Sequence, residues 1–298
     1  MKQKLFHFSF QAMGSPCELK IYHCDGGMAQ DVYEKVVADV QRIEYRYSRY
    51  RDDSILSEIN KTAEQGGEIE IDEETYALLN YADTCFWQSQ GLFDVTSGVL
   101  RKAWDFKSNK IPSVKEINSL LKFVGWQKVS FTQKSVSFSR SGMQLDFGGI
   151  GKEYAVDRAA NICRLNGVVS GLVNLGGDIH IIGPHPDGKP WQVGVSHPRN
   201  SSDVLTRIPV SKGAVASSGD YERCLMINGK RYGHVLNPKT GWPVEELIAV
   251  TVVAPQCVIA GSLCTISMLL EKQGKKWLKE TGVRYLWVDS KGRTRIDL

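Results

Sequence analysis

Strand-like and helix-like stretches succeed one another along this chain in an irregular order, and that order restricts the fold more than any other feature. LFHFSF and CELKIYH alternate in strand fashion around a turn-like AMGSP, and MAQDVYEKVVADVQRIEYRYSRY then carries apolar residues at helical spacing. EETYALLNYADTCFWQSQ reads as a second helix, ended by Gly91. A weaker helix, VKEINSLLKFVG, leads into a strand pair, KVSFTQKSVSFS. The helix KEYAVDRAANICRLNG then opens a strand-rich region from GLVNLGGDIHIIG through WQVGVSHP, VLTRIPVS, GAVASSG and RCLMING to LIAVTVVAP. A helix near CVIAGSLCTISMLLEKQG, a short helix and two strands close the chain. No β-α-β rhythm is sustained, so the expectation is an α+β architecture rather than a doubly wound parallel sheet. No low-complexity linker or repeat divides the sequence, which predicts one domain over residues 1–298.

Composition narrows the function classes. With 37 basic and 33 acidic residues the net charge is only +4, too balanced for the dense field of a nucleic-acid binder. The Tyr-Arg run YRYSRYR is one short patch and does not change that expectation. Seven cysteines without a C-x-x-C pair suggest neither a disulfide framework nor a thiolate zinc site, and reduced thiols in a cytoplasm are the simplest reading. No apolar run reaches bilayer length, and the start of the sequence lacks the continuous apolar stretch of a signal peptide. A cytoplasmic protein with no membrane span is expected.

Four motifs offer chemistry. DFGGIGKEYAVD, Asp146 to Asp157, has glycines at 148, 149 and 151 ahead of a helix, so backbone N–H groups could cradle a phosphate. Its spacing fits neither G-x-G-x-x-G nor G-x-x-x-x-G-K-[ST], since Glu153 stands where the latter needs a hydroxyl, and a plain tight turn explains it equally well. VNLGGDI reads first as a strand ending in a turn, and VASSGDYER as a polar loop for a ribityl or phosphate group or as an ordinary turn. YGHVLNPKTGWPV is held irregular by Asn-Pro, Thr-Gly and Trp-Pro, and His234 stands at its entrance. Of the six histidines it is the candidate base.

In this order the pieces resemble the FAD:protein FMN transferase (ApbE) family. The resemblance runs from AMGSPCEL through YSRYRDDSILSEIN, GLFDVTSGVLRKAW, LDFGGIGKEYAVD, VNLGGDI, VASSGDYER and YGHVLNPKTGWPV to VTVVAPQCVIAGSLCT. It implies an ApbE-like fold of mixed sheets with flanking helices. It also implies an enzyme that moves the FMN half of FAD to a Thr or Ser hydroxyl of a target flavoprotein and releases AMP. FAD binding without turnover, or magnesium-dependent hydrolysis of FAD to FMN and AMP, are the alternatives. By resemblance, Met13, Tyr50, Leu92, Phe93, Asp94, Asp146, Lys152 and Val244 contact the FAD, and His234 takes the hydroxyl proton.

The resemblance also implies a magnesium ion, held by a backbone carbonyl at Gly149 and by an Asp and a Thr four residues apart on the late helix. Thr265 is present, but Gly261 stands in the place of that Asp. Magnesium relies on hard oxygen ligands, usually including a carboxylate, so weakened metal binding is expected unless another acid is recruited.

Overall fold

The computed structural model describes residues 3–106, 108 and 110–298. Two strands, β1 (Lys4–Ala12) and β2 (Ser15–His23), form a hairpin. Its two-residue turn, Met13 and Gly14, has φ of 55° and 66°, the left-handed pair that matches strand twist. Helices α1 (Gly26–Arg46) and α2 (Ile55–Gln65) follow, then β3 (Gly67–Glu70), α3 (Glu73–Gln88) and a 3₁₀ helix over Val95–Lys102. Next come α4 (Val114–Leu121), β4 (Val129–Phe131), β5 (Ser135–Phe138) and α5 (Gly151–Leu165).

The second half is strand-rich: β6 (Gly171–Leu175), β7 (Asp178–Gly183), β8 (Trp191–His197), β9 (Asn200–Val210), β10 (Gly213–Gly219), β11 (Cys224–Ile227), β12 (Lys230–Gly233) and β13 (Leu247–Ala254). Helices α6 (Cys257–Leu269) and α7 (Gly274–Glu280) precede the closing β14 (Arg284–Asp289) and β15 (Thr294–Asp297). The fold is α+β, as the irregular order implied. Helix α2 and the short strands β3 and β12 add to the elements read from periodicity.

Eight strands form the central sheet in the order β1-β2-β6-β7-β10-β13-β14-β15, with every neighbouring pair antiparallel. Alternation along each strand divides its side chains between two cores. Val250 and Val252 of β13 belong to the helix-side core with Val36, Val156 and Ala260, while Ile248 and Ala249, consecutive at the irregularity between Leu247 and Ala249, join the opposite cluster. That opposite face is covered by the β8–β9 ribbon through Trp191, Val193 and Ile208. Helix α6 is buried nearly all round, which explains why its sequence carries no charged residue. A third, smaller cluster around Trp104 and Ile117 supports the loop after His234.

Candidate functional site

One pocket gathers side chains from five separate stretches. Its wall is formed by the Leu92–Asp94 turn and the 3₁₀ helix behind it, the Asp146–Glu153 loop and helix start, Ser217 and Ser218 of β10, the His234–Leu236 segment, and Thr265 of α6.

The Leu92–Asp94 turn is fixed by Ser89, whose hydroxyl accepts from the N–H groups of Leu92 and Phe93. Asp94 then caps the 3₁₀ helix: Oδ1 accepts from Thr96 N at 2.8 Å and from the Thr96 hydroxyl at 2.6 Å, while Oδ2 accepts from Trp126 N at 3.0 Å. Both of its oxygens are engaged inside the protein. Gly98 lies so close behind that a Cβ there would sit 2.5 Å from the Cβ of Asp146. Glycine at 98 is what lets the Asp146 loop close against the 3₁₀ helix.

Asp146 receives Arg49 Nη1 at 2.5 Å, Arg101 Nε at 3.3 Å and the N–H of Gly148 at 2.9 Å. Burial pushes its carboxyl up, but the guanidinium groups outweigh that and hold it below the usual carboxylate range. The loop enters α5 at Gly151 with no side chain capping the helix; the Gly151 N–H donates to Phe147 O, and the next two residues, Lys152 and Glu153, line the pocket at the helix N-terminus. This is the arrangement of an anion cradle, with Arg101 beside it.

At the start of α5, Lys152 Nζ lies 2.9 Å from Asp178 Oδ2, a close ion pair that falls short of hydrogen-bond geometry. Burial works against the ammonium, but Asp178 and Glu153 more than offset it and keep the lysine charged. Glu153 is pushed well above the usual carboxylate range, first by burial and then by the nearby charge of Asp178.

Asp157, the last residue of the glycine-rich motif, accepts from the N–H groups of Cys257 and Val258 at 2.7 and 3.0 Å, capping α6 from α5. It also receives His180 Nδ1 at 2.6 Å, which accounts for that buried histidine. One turn back on α5 is Glu153, and one turn forward on α6 is Gly261. The two meet: a Cβ at Gly261 would lie 2.6 Å from Glu153 Cγ and 2.8 Å from Oε1. A further step of the same kind leads to Gly149 and Thr265, both in the pocket wall.

His234 completes the enclosure. Its Nδ1 is buried and has no hydrogen-bond partner. Burial lowers its pKa from 6.5 to about 4, helped by the positive charges of Arg101 and Arg223, so the ring is neutral at pH 7. The segment that follows is braced by Asn237, which accepts from Lys239 N and Thr240 N, and by Trp104 Nε1 donating to Gly241 O at 2.7 Å.

Residues 13–287 match the ApbE family. The chain belongs to that family. A FAD:protein FMN transferase of Haemophilus influenzae is 29% identical over 276 residues, spanning 88% of this chain and 80% of the relative. One from Chlamydia pneumoniae is 30% identical over 249 residues, spanning 80% and 77%. Among solved structures, the ApbE protein of Thermotoga maritima has a TM-score of 0.90 at 32% identity, covering 99% of this chain and 97% of its own. The flavinyl transferase ApbE of Pseudomonas stutzeri has a TM-score of 0.87 at 28% identity, covering 99% and 94%.

Of the positions that the ApbE resemblance singled out, Leu92, Phe93, Asp94, Asp146, Lys152, Gly149, Thr265 and His234 all line the pocket. Met13, Tyr50 and Val244 fall outside its lining: Met13 is in the β1–β2 turn, Tyr50 is 79% exposed, and Val244 is packed in the core. Arg101, Gly98 and Glu153 are additions that the sequence reading did not single out as site residues. Nothing in their spacing marks them, because each joins the site through a contact with a distant stretch.

Proposed function

We propose that the chain transfers the FMN moiety of FAD to a Thr or Ser hydroxyl of a target flavoprotein and releases AMP. The observation that carries this reading is the meeting, in one pocket, of a glycine-rich anion cradle and a neutral imidazole whose Nδ1 has no partner, in a chain aligned over most of its length with FAD:protein FMN transferases.

The first-turn N–H groups of α5 and the Arg101 guanidinium suit the diphosphate of FAD, whose charge must be offset as a phosphoryl group is transferred. His234 accepts the proton of the incoming hydroxyl. The hydroxyl oxygen bonds to the FMN phosphorus, the bond to the bridging oxygen breaks, and AMP leaves with that oxygen. A diphosphate in the cradle also offsets Arg101 and Arg223, raising the basicity of His234 when substrate is present.

The Gly149 carbonyl and Thr265 hydroxyl would hold a magnesium ion, which when bound would neutralise phosphate charge. Among the described residues no three His, Cys, Asp or Glu side chains form a ready-made metal cluster, so the phosphates would have to share in its binding. All seven cysteines are unpaired. Among the described residues no helix is long and apolar enough to cross a membrane.

Incubation with FAD, magnesium and acceptor flavoproteins bearing candidate Thr or Ser sites tests the proposal. Expected are a gain of one FMN in the acceptor mass, AMP release, and a loss of roughly 10²- to 10⁴-fold in rate for His234→Ala. AMP release without an acceptor would select the hydrolase instead, and bound FAD with no AMP at all would leave only a flavin-binding protein.

A further inference from the structure

A buried carboxyl group stands in the pocket wall with one oxygen unengaged. Glu153 is 7% exposed, and its Oε2 has no hydrogen-bond partner. The charge of Lys152 reaches Glu153, but the ammonium itself lies against Asp178 and leaves Oε2 without a direct partner. An acid buried without a partner is costly, and the cost is removed if a cation comes in with the substrate.

The position of this carboxylate is specific. Asp157 caps α6 from α5 and so sets the register of the two helices, which brings Glu153 against Gly261 and leaves Gly149 and Thr265 in the same wall. A side chain at 261 would enter the volume that Glu153 already fills, with Glu153 Cγ, Oε1 and Cδ at 2.6, 2.8 and 3.0 Å from its Cβ. With Glu153 in its present conformation, a carboxylate at 261 would compete for the same volume, so the two positions are alternative ways to put an acid here. A carboxylate, a hydroxyl and a carbonyl are hard oxygen donors, and a diphosphate would supply the rest of a divalent ion's shell.

We propose that Glu153 is the carboxylate anchor of a divalent cation that binds together with the dinucleotide diphosphate, supplying from α5 the acid that α6 lacks at Gly261. This rests on reading the pocket as an FAD site. Because the described residues hold no three-acid cluster, the ion binds tightly only when the dinucleotide is present.

Mn²⁺ serves as probe, its free concentration followed by electron paramagnetic resonance with and without FAD. FAD binding is measured separately in EDTA by quenching of flavin fluorescence. The wild-type protein is expected to take up Mn²⁺ only with FAD. Glu153→Gln is expected to weaken that uptake by about tenfold or more while still binding FAD in EDTA. Moving the acid back, in a Glu153→Ala and Gly261→Asp double variant, is expected to restore Mn²⁺ affinity. Gly261→Asp alone, with two side chains competing for one volume, is expected to give no gain. Wild-type uptake of Mn²⁺ in Glu153→Gln, or no Mn²⁺ uptake by the wild-type complex with FAD, would overturn the assignment while the FAD site stood. Failure of the wild-type protein to quench flavin fluorescence would reject the FAD reading itself. If the double variant does not fold, the Glu153→Gln comparison decides alone.

Discussion

An imidazole free in water gains its proton near pH ~6.5, whereas His234 does so at about 4, because burial and then the positive charges of Arg101 and Arg223 disfavour its protonated form. The Asn-Pro and Thr-Gly loop that mounts it is what singles this histidine out in the sequence as the candidate base. Its protonation state is not legible there, since Arg101 and Arg223 come from other parts of the chain. Glu153 was hidden for the same reason: in sequence it only breaks a phosphate-loop pattern, and its meaning depends on a glycine 108 positions away. A direct check follows the imidazole resonance that is missing from His234→Gln. In the free protein it should keep its neutral position from pH ~8 down to about 5.5, as a histidine with a depressed pKa must. With FAD bound, the diphosphate should move its midpoint upward. A midpoint near 6.5 without FAD would mean that the ring is solvated and that neither burial nor Arg101 and Arg223 set its protonation state.

The elements were mostly readable where they carry their own period: the β1–β2 hairpin, α1, α3, α5 and α6 all lie where apolar spacing placed them. Less readable were pieces defined by their caps and neighbours. The Leu92–Lys102 region is the example, because Asp94 was read as a flavin contact by resemblance, while its carboxylate caps a 3₁₀ helix and ties it to Trp126. GAVASSG reads as a strand and lies in β10, whereas VASSGDYER also reads as a polar binding loop, and of that motif Ser217 and Ser218 line the pocket from within the strand. The role of Asp94 as a cap has a measurable consequence. Asp94→Ala leaves two buried N–H groups and a hydroxyl without their acceptor, which should lower stability by roughly 2–4 kcal/mol. Denaturant unfolding measures that loss, and flavin fluorescence should show weaker FAD binding as the Leu92–Asp94 turn loosens. Unchanged stability would show that the cap is dispensable and leave a direct ligand contact as the reason for an acid at 94.

Over the whole molecule, the pocket depends on helices held in fixed positions against the face of the central sheet opposite the β8–β9 ribbon, and part of that hold is electrostatic. Glu74 of α3 accepts Arg42 of α1 through both guanidinium ends at 2.7 and 2.8 Å and the Tyr154 hydroxyl of α5 at 2.9 Å. Asp39 of α1 in turn receives Arg158 of α5 at 3.0 Å. Hydrogen bonds from Arg42 outweigh burial and hold the Glu74 carboxyl below its usual range, and Asp39 is also lowered because Arg158 and Arg42 outweigh the burial that pushes it up. A carboxyl more acidic in the folded than the unfolded state stabilises the fold fully above its unfolded pKa, near ~4.3 for Glu, and that contribution fades as pH falls through the folded value. Glu74→Gln should therefore cost about 1–3 kcal/mol at pH 7 by leaving Arg42 without its bidentate partner. The gap between variant and wild type should shrink as both are acidified from pH ~5 to ~3, since the wild-type carboxyl is then neutralised as well. Urea unfolding at several pH values reads both effects. A gap that stayed constant with pH would mean that Glu74 acts by packing alone, and that the clasp joining α1, α3 and α5 is not held by its charge.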